Sequence, residues 1–127
     1  IKKGLIISGI KLMQLTDELL DDHYAHLKDR PFFNRIKTSM KSLPVIVMCL
    51  KGIDAVQVVR AMVGATNGRA AAPGTIRGDY SMGQENIIHA SDTPENAVIE
   101  LNRFFKPEEI IDYTPAAMHL LYADDEL

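Results

Sequence analysis

The densest set of reactive side chains in this sequence is Asn86-Ile87-Ile88-His89-Ala90-Ser91-Asp92. An imidazole that is neutral and held in one tautomer can serve as a nitrogen nucleophile, taking up a phosphoryl group and passing it on. The two isoleucines read as a short apolar strand that delivers His89 to its end, and Ser91-Asp92 as the break into a helix. A lone histidine in such a place is more often a partly buried structural residue beside a helix cap. Two arginines change the balance. Arg77 lies in Gly74-Thr75-Ile76-Arg77-Gly78, where flanking glycines let backbone and ligand approach closely, and Arg60 lies on a helical stretch upstream. Each could fork onto phosphate oxygens in a geometry lysine cannot reproduce, although single surface arginines are usually just solvated. Glu100 falls at the edge of the apolar arc Ala97, Leu101, Phe104, Phe105. It either turns inward to a partner or snorkels to water.

The elements that must position these residues follow from periodicity. Leu5 to Leu15 reads as a strand, with Gly4 as a plausible end to a preceding helix. Thr16 caps a helix whose stripe is Leu19, Leu20, Tyr24 and Leu27, with Asp17 and Glu18 in its first turn. Pro31 opens a second helix through about Lys41, carrying Phe32, Phe33, Ile36 and Met40. Pro44 to Leu50 is continuously apolar and predicts a strand buried on both faces. Asp54 starts a helix with Ala55, Val58, Val59, Met62 and Val63 inward and Gly64 at its end. From Ala65 to Glu85 the pattern predicts a long loop, of the kind that is usually functional. After the strand through His89, Pro94 to Phe104 predicts a helix capped by Asp92 or Thr93. The tail reads as loop, anchored by Tyr113 and Tyr122. Strands and helices in this order suggest an α+β sandwich with helices on a mostly antiparallel sheet.

Composition narrows the class. The 127 residues suit one domain, and 46% hydrophobic with 24% charged is ordinary globular usage. A net charge of −3 provides no basic footprint, so no nucleic-acid partner is expected and any phosphate site rests on a few placed cations. No apolar run reaches the ~18 residues a membrane helix needs, so no membrane partner is expected. Cys49, the only cysteine, sits in Val45-Ile46-Val47-Met48-Cys49-Leu50 and reads as inert packing. A cytoplasmic setting is expected. His23, His26 and His119 read as solvated or packing residues.

The chain resembles the nucleoside diphosphate kinase family. The resemblance rests on Asn86-Ile-Ile-His89-Ala-Ser91-Asp92 after Pro73-Gly-Thr-Ile-Arg77-Gly-Asp79-Tyr80. Supporting matches are His23-Tyr24 through Arg30-Pro31-Phe32-Phe33, Met62-Val-Gly-Ala-Thr66-Asn67 and Phe104-Phe105-Lys106-Pro107-Glu108-Glu109. They run from about Lys3 to Tyr122 in the family's order. The resemblance implies a ferredoxin-like α+β fold and transfer of the terminal phosphate of a nucleoside triphosphate to a nucleoside diphosphate through a phosphohistidine. It implies that His89 carries the phosphate, Glu100 fixes the histidine, Ser91 bridges them and Tyr24 borders them. Arg60, Thr66 and Arg77 would grip phosphates, Asn86 would reach the ribose, and Phe32 and Ile36 would sandwich the base. Asp92 would hold Mg²⁺ through water. A homo-oligomer, hexamer or tetramer, is also implied.

Three departures stand out. Gly68 follows Asn67 where the family usually has proline, which predicts a more mobile loop. Glu85 precedes the Asn where many members have arginine, in a segment about one residue shorter than usual. The family's first strand, with its Lys-Pro-Asp motif, and most of its first helix have no counterpart. The domain is therefore expected to be N-terminally incomplete and, expressed as these residues alone, to aggregate or stay molten. That absence also keeps open an alternative, a catalytically silent homologue acting as an assembly subunit or nucleotide-binding regulator.

Overall fold

The computed structural model describes residues 2–84 and 87–126. Two strands and five helices form over the described residues, together with short 3-10 turns. They fall into two compact units, Ile1–Lys51 with Glu100–Leu127, and Gly52–Ile99.

The first unit is built on an antiparallel pair, β1 (Ile6–Met13) and β2 (Val45–Lys51). Ile10 faces Met48 and Leu12 faces Ile46 across the ladder, and the register shifts between Ile7 and Gly9. A shift of this kind frees the backbone of the bulged residue. Here the carbonyl of Ser8 accepts from the N–H of Ile111 at 2.8 Å, tying the tail to β1. The tail is anchored twice more, by Tyr113 Oη donating to the Ile7 carbonyl and Tyr122 Oη to the Gly4 carbonyl, both at 2.8 Å. Both tyrosines hold the places expected of them.

β2 departs from the expectation of burial on both faces. Val45, Val47 and Cys49 turn inward, while Ile46 and Met48 are 63% and 47% exposed. The continuous apolar run concealed an ordinary alternation of faces, because both faces are written in apolar residues. Cys49 is almost wholly buried, and burial pushes its thiol up, as an inert packing residue requires.

α1 (Asp17–His23) starts where Thr16 Oγ1 accepts from the N–H of Leu19 at 3.3 Å. It ends sooner than its apolar stripe predicts. Tyr24 is the junction to a 3-10 turn over Ala25–Leu27. α2 (Phe33–Lys41) faces α1 with the opposite charge, Lys37 reaching Asp21 at 2.7 Å and Lys41 reaching Asp17 at 2.7 Å. Leu20 and Phe33 lie beneath, 1% and 5% exposed.

The second unit begins with α3 (Ala55–Val63), which Gly64 ends at φ 89°. Asp54 stands at the helix start as expected but makes no side-chain cap, its backbone being left-handed at φ 50°. The stretch expected to be loop from Ala65 to Glu85 contains a 3-10 turn over Gly68–Ala70 and α4 (Ile76–Tyr80). Thr75 builds α4 by accepting from the N–H of Gly78 at 3.0 Å, a local cap that glycines on both sides hid from periodicity. Gly68 is buried, and a Cβ there would collide with the Ser81 carbonyl, so close packing accounts for the glycine.

The strand expected through His89 is absent from the described residues. Ile87 to Ala90 has no regular structure, because a strand needs a ladder and the Ile88 carbonyl is taken by the Arg77 side chain instead. α5 (Pro94–Phe104) matches its predicted bounds. Its cap is Thr93, whose Oγ1 accepts from the N–H of Asn96 at 3.1 Å.

Leu20→Ala should cost about 2–5 kcal/mol of unfolding free energy, the usual range for a buried leucine. Ile46→Ala, at an exposed position on β2, should stay within about 0.5 kcal/mol of the parent. Urea denaturation of the two variants checks the contrast.

Candidate active site

The second unit carries the phosphate-handling candidates. Arg77 is 8% exposed, the most enclosed charged side chain among the described residues. Its guanidinium donates from Nη1 to the Gly64 carbonyl at 3.0 Å and from Nη2 to the Ile88 carbonyl at 2.7 Å. It thereby joins the end of α3 to the residue before His89. The sequence predicts Arg77 as a cation for phosphate oxygens. The structure makes it first a brace of the backbone on which His89 stands.

The loop that presents Arg77 is closed on itself. Thr75 Oγ1 donates to the Ala72 carbonyl at 2.6 Å, and Asp79 accepts from the N–H of Gly74 at 2.8 Å. Burial, and after it the charge of Arg60, lowers the pKa of Arg77. Arg60 itself is exposed on α3. Two cations within reach of each other cost energy that an anion between them would recover.

Asp92 completes this group. Its carboxylate accepts from Asn96 Nδ2 at 2.7 Å. That hydrogen bond, with backbone donors of Asp92 and Thr93 and the charge of Arg60, holds the Asp92 carboxyl below its usual range. Asn96 was not foreseen, although its spacing from Asp92 is the side-by-side spacing of a helix start. His89 and Thr66 are exposed and Ser91 is half-buried. An exposed imidazole suits a nucleophile that must meet a polyphosphate. Asn86 lies outside the described residues.

The first unit holds the other candidates. Tyr24 is half-buried, and burial pushes its phenol up, with the charge of Glu100 adding to the shift. Glu100 is half-buried, and a carboxylate oxygen lies within 4.8 Å of a ring nitrogen of His23, so it turns inward rather than out into water. His23 stacks edge-on against Tyr24 at 4.6 Å and Phe104 at 5.2 Å, and its Nδ1 meets Arg103 Nη1 at 2.9 Å. It is a partnered residue, which rules out the solvated alternative. The spacing of Arg103 one turn after Glu100 was the available signal.

Phe32 stands just before α2 rather than on the helix expected to open at Pro31, and is 40% exposed, whereas Phe33 is core as expected. The Ile36 N–H donates to the Phe32 carbonyl at 3.1 Å, which keeps the two one turn apart. An exposed aromatic beside a half-buried isoleucine leaves a ring face for a flat ligand.

Comparison with known proteins places the chain in a family. The family model described as nucleoside diphosphate kinase matches residues 1–110. The chain is 63% identical over 126 residues to the nucleoside diphosphate kinase of Parabacteroides distasonis, covering 98% of this chain and 82% of that one. It is 44% identical over 122 residues to human nucleoside diphosphate kinase A, covering 95% and 80%. Among solved structures, a halophilic nucleoside diphosphate kinase from Halobacterium salinarum in complex with CDP superposes with a TM-score of 0.90 at 40% identity, covering 94% and 81%. The α+β fold, ferredoxin-like in its relatives, is thus shared.

The raised phenol of Tyr24 sets a pH dependence. The unfolded phenol ionises near pH ~10, and the folded one holds its proton to higher pH. Its contribution is complete below the unfolded pKa and is lost as pH rises through the folded one. The stability of the parent should therefore fall more steeply than that of Tyr24→Phe as pH rises above about 10, measured by urea denaturation.

Proposed function

The chain belongs to the nucleoside diphosphate kinase family, and we propose that it passes the terminal phosphoryl group of a nucleoside triphosphate through His89. The overall reaction, phosphate transfer from a nucleoside triphosphate to a nucleoside diphosphate, is that of the family. The carrying observation is an exposed His89 on a backbone braced by Arg77, in the same unit as Arg60 and Asp92.

In the first half-reaction a ring nitrogen of neutral His89 attacks the terminal phosphorus. The P–N bond forms as the P–O bond to the leaving diphosphate breaks. The second half-reaction reverses this, with a diphosphate oxygen as nucleophile. Glu100 orients the imidazole and stabilises its charge, Ser91 bridges the two, and Tyr24 borders them. Arg60, Thr66 and Arg77 grip the phosphates, and Asn86 reaches the ribose.

Asp92 fits a Mg²⁺ held mainly by phosphate oxygens. It is a single carboxylate kept ionised, too little for a protein cage but enough to hold a water of the ion's shell. When bound, the ion would offset phosphate charge. Phe32 and Ile36 stack on the base without reading its edge, so purine and pyrimidine nucleotides are both accepted. Cytoplasmic location and assembly into a homo-oligomer, hexamer or tetramer, complete the proposal. The first is supported by the single buried Cys49 and the second by resemblance to the family.

Incubation with labelled ATP should give an acid-labile, base-stable phosphoprotein. His89→Ala should abolish the label, and Glu100→Ala should slow labelling without preventing nucleotide binding. Full labelling of His89→Ala would overturn the assignment. Phe32→Ala should weaken nucleotide binding by about 1–3 kcal/mol, the loss of one base stack, read by calorimetric titration. Unchanged binding would return Phe32 to a packing role.

A further inference from the structure

The side chains around Glu100 form an ordered line that the reaction as described does not use. Arg103 is 16% exposed and sits one turn after Glu100 on α5. Its Nε donates to Asp22 Oδ2 at 2.6 Å, and its Nη1 approaches His23 Nδ1 at 2.9 Å. A guanidinium has no acceptor and keeps its protons at any ordinary pH. The contact therefore decides the state of the imidazole. Nδ1 must accept, so the ring proton of a neutral His23 sits on Nε2. Asp22 holds the guanidinium through Nε, and the rings of Tyr24 and Phe104 pack edge-on against the imidazole and limit its rotation. A ring nitrogen of His23 and a carboxylate oxygen of Glu100 lie within 4.8 Å of each other.

We propose that Arg103 is a positioning residue for phosphoryl transfer, fixing His23 as its Nε2–H tautomer so that the imidazole restrains the Glu100 carboxylate. The Arg103 guanidinium donates to Asp22 on one hand and to His23 on the other, and His23 in turn offers its Nε2–H to Glu100. The arrangement resembles the way an outer partner fixes the tautomer and orientation of a histidine in other sites. A bare ion pair between α1 and α5 would need only Asp22 and Arg103. The contact to Nδ1 is what gives the pair a consequence for the reaction. The inference rests on the reading of Glu100 as the carboxylate that orients His89.

Two-bond proton–nitrogen spectra of the full chain labelled with 15N-histidine read the tautomer directly, and steady-state kinetics read its consequence. The parent should show His23 protonated at Nε2. Arg103→Leu should give a mixture of tautomers and a severalfold lower kcat, with KM for the nucleoside diphosphate unchanged. Arg103→Lys, which restores a donor to Nδ1 without the fork onto Asp22, should recover the tautomer and most of kcat. His23 protonated at Nδ1 in the parent would overturn the proposal, as would an Arg103→Leu enzyme that melts normally and keeps full kcat. If the reading of Glu100 is at fault, Glu100→Gln will keep full activity, and the arrangement loses its purpose with it. If only the arrangement is at fault, Glu100→Gln will be impaired while the His23 tautomer is indifferent to Arg103→Leu.

Discussion

The second unit depends on one buried guanidinium. Arg77 closes the end of α3 onto the residue before His89 through two carbonyls, Gly64 and Ile88. A charge so enclosed is expensive unless its donors are satisfied, and carbonyl oxygens at these distances satisfy it well. The planar fork also imposes direction. It ties two chain segments together through one rigid fork, which a single ammonium on a flexible stem does not do. An irregular segment such as Ile87 to Ala90, without a ladder of its own among the described residues, takes its definition from such a brace.

The charges around that brace follow a consistent economy. Arg60 and Arg77 repel each other, and Asp92 is held ionised nearby by Asn96 and by backbone donors. The protein thus keeps cations close in the absence of any strongly positive field, in a chain whose formal charge is −3. A polyphosphate entering such a site relieves repulsion that already exists, a way of preorganising electrostatic stabilisation. In the first unit the polar residues are matched at shorter range, with Glu100 felt by a half-buried Tyr24 and Arg103 shared by Asp22 and His23.

Much of this was legible in the sequence. Thr16, Gly64, Pro94 and the anchoring tyrosines mark boundaries by local rules, and local rules survive without knowledge of the fold. The α+β class followed from the same elements. What sequence misjudged depends on contacts distant along the chain. The strand through His89 looked apolar enough to pair, but pairing needs a neighbour, and its carbonyl went to Arg77. β2 looked buried on both faces because apolar content does not report which face is covered. α4 was hidden among glycines, although Thr75 supplied the cap. His23 and Arg103 are far apart in sequence, so their contact itself could not be read from it, although Arg103 stands one turn after Glu100 on the same helix. Of the site residues, His89, Glu100 and the arginines were visible as types at suitable spacing. The structural duty of Arg77 was not.

Arg77 works first as a forked brace for the backbone carrying His89, and only second as a phosphate cation. The unfolding free energy of Arg77→Lys, measured by urea denaturation without nucleotide, tests it directly. Lysine keeps the charge but cannot bridge both carbonyls, so a loss of about 2–4 kcal/mol is expected from unmade charged hydrogen bonds in a buried site. A variant as stable as the parent, impaired only when nucleotide is added, would show that Arg77 is a ligand-binding cation and not a brace.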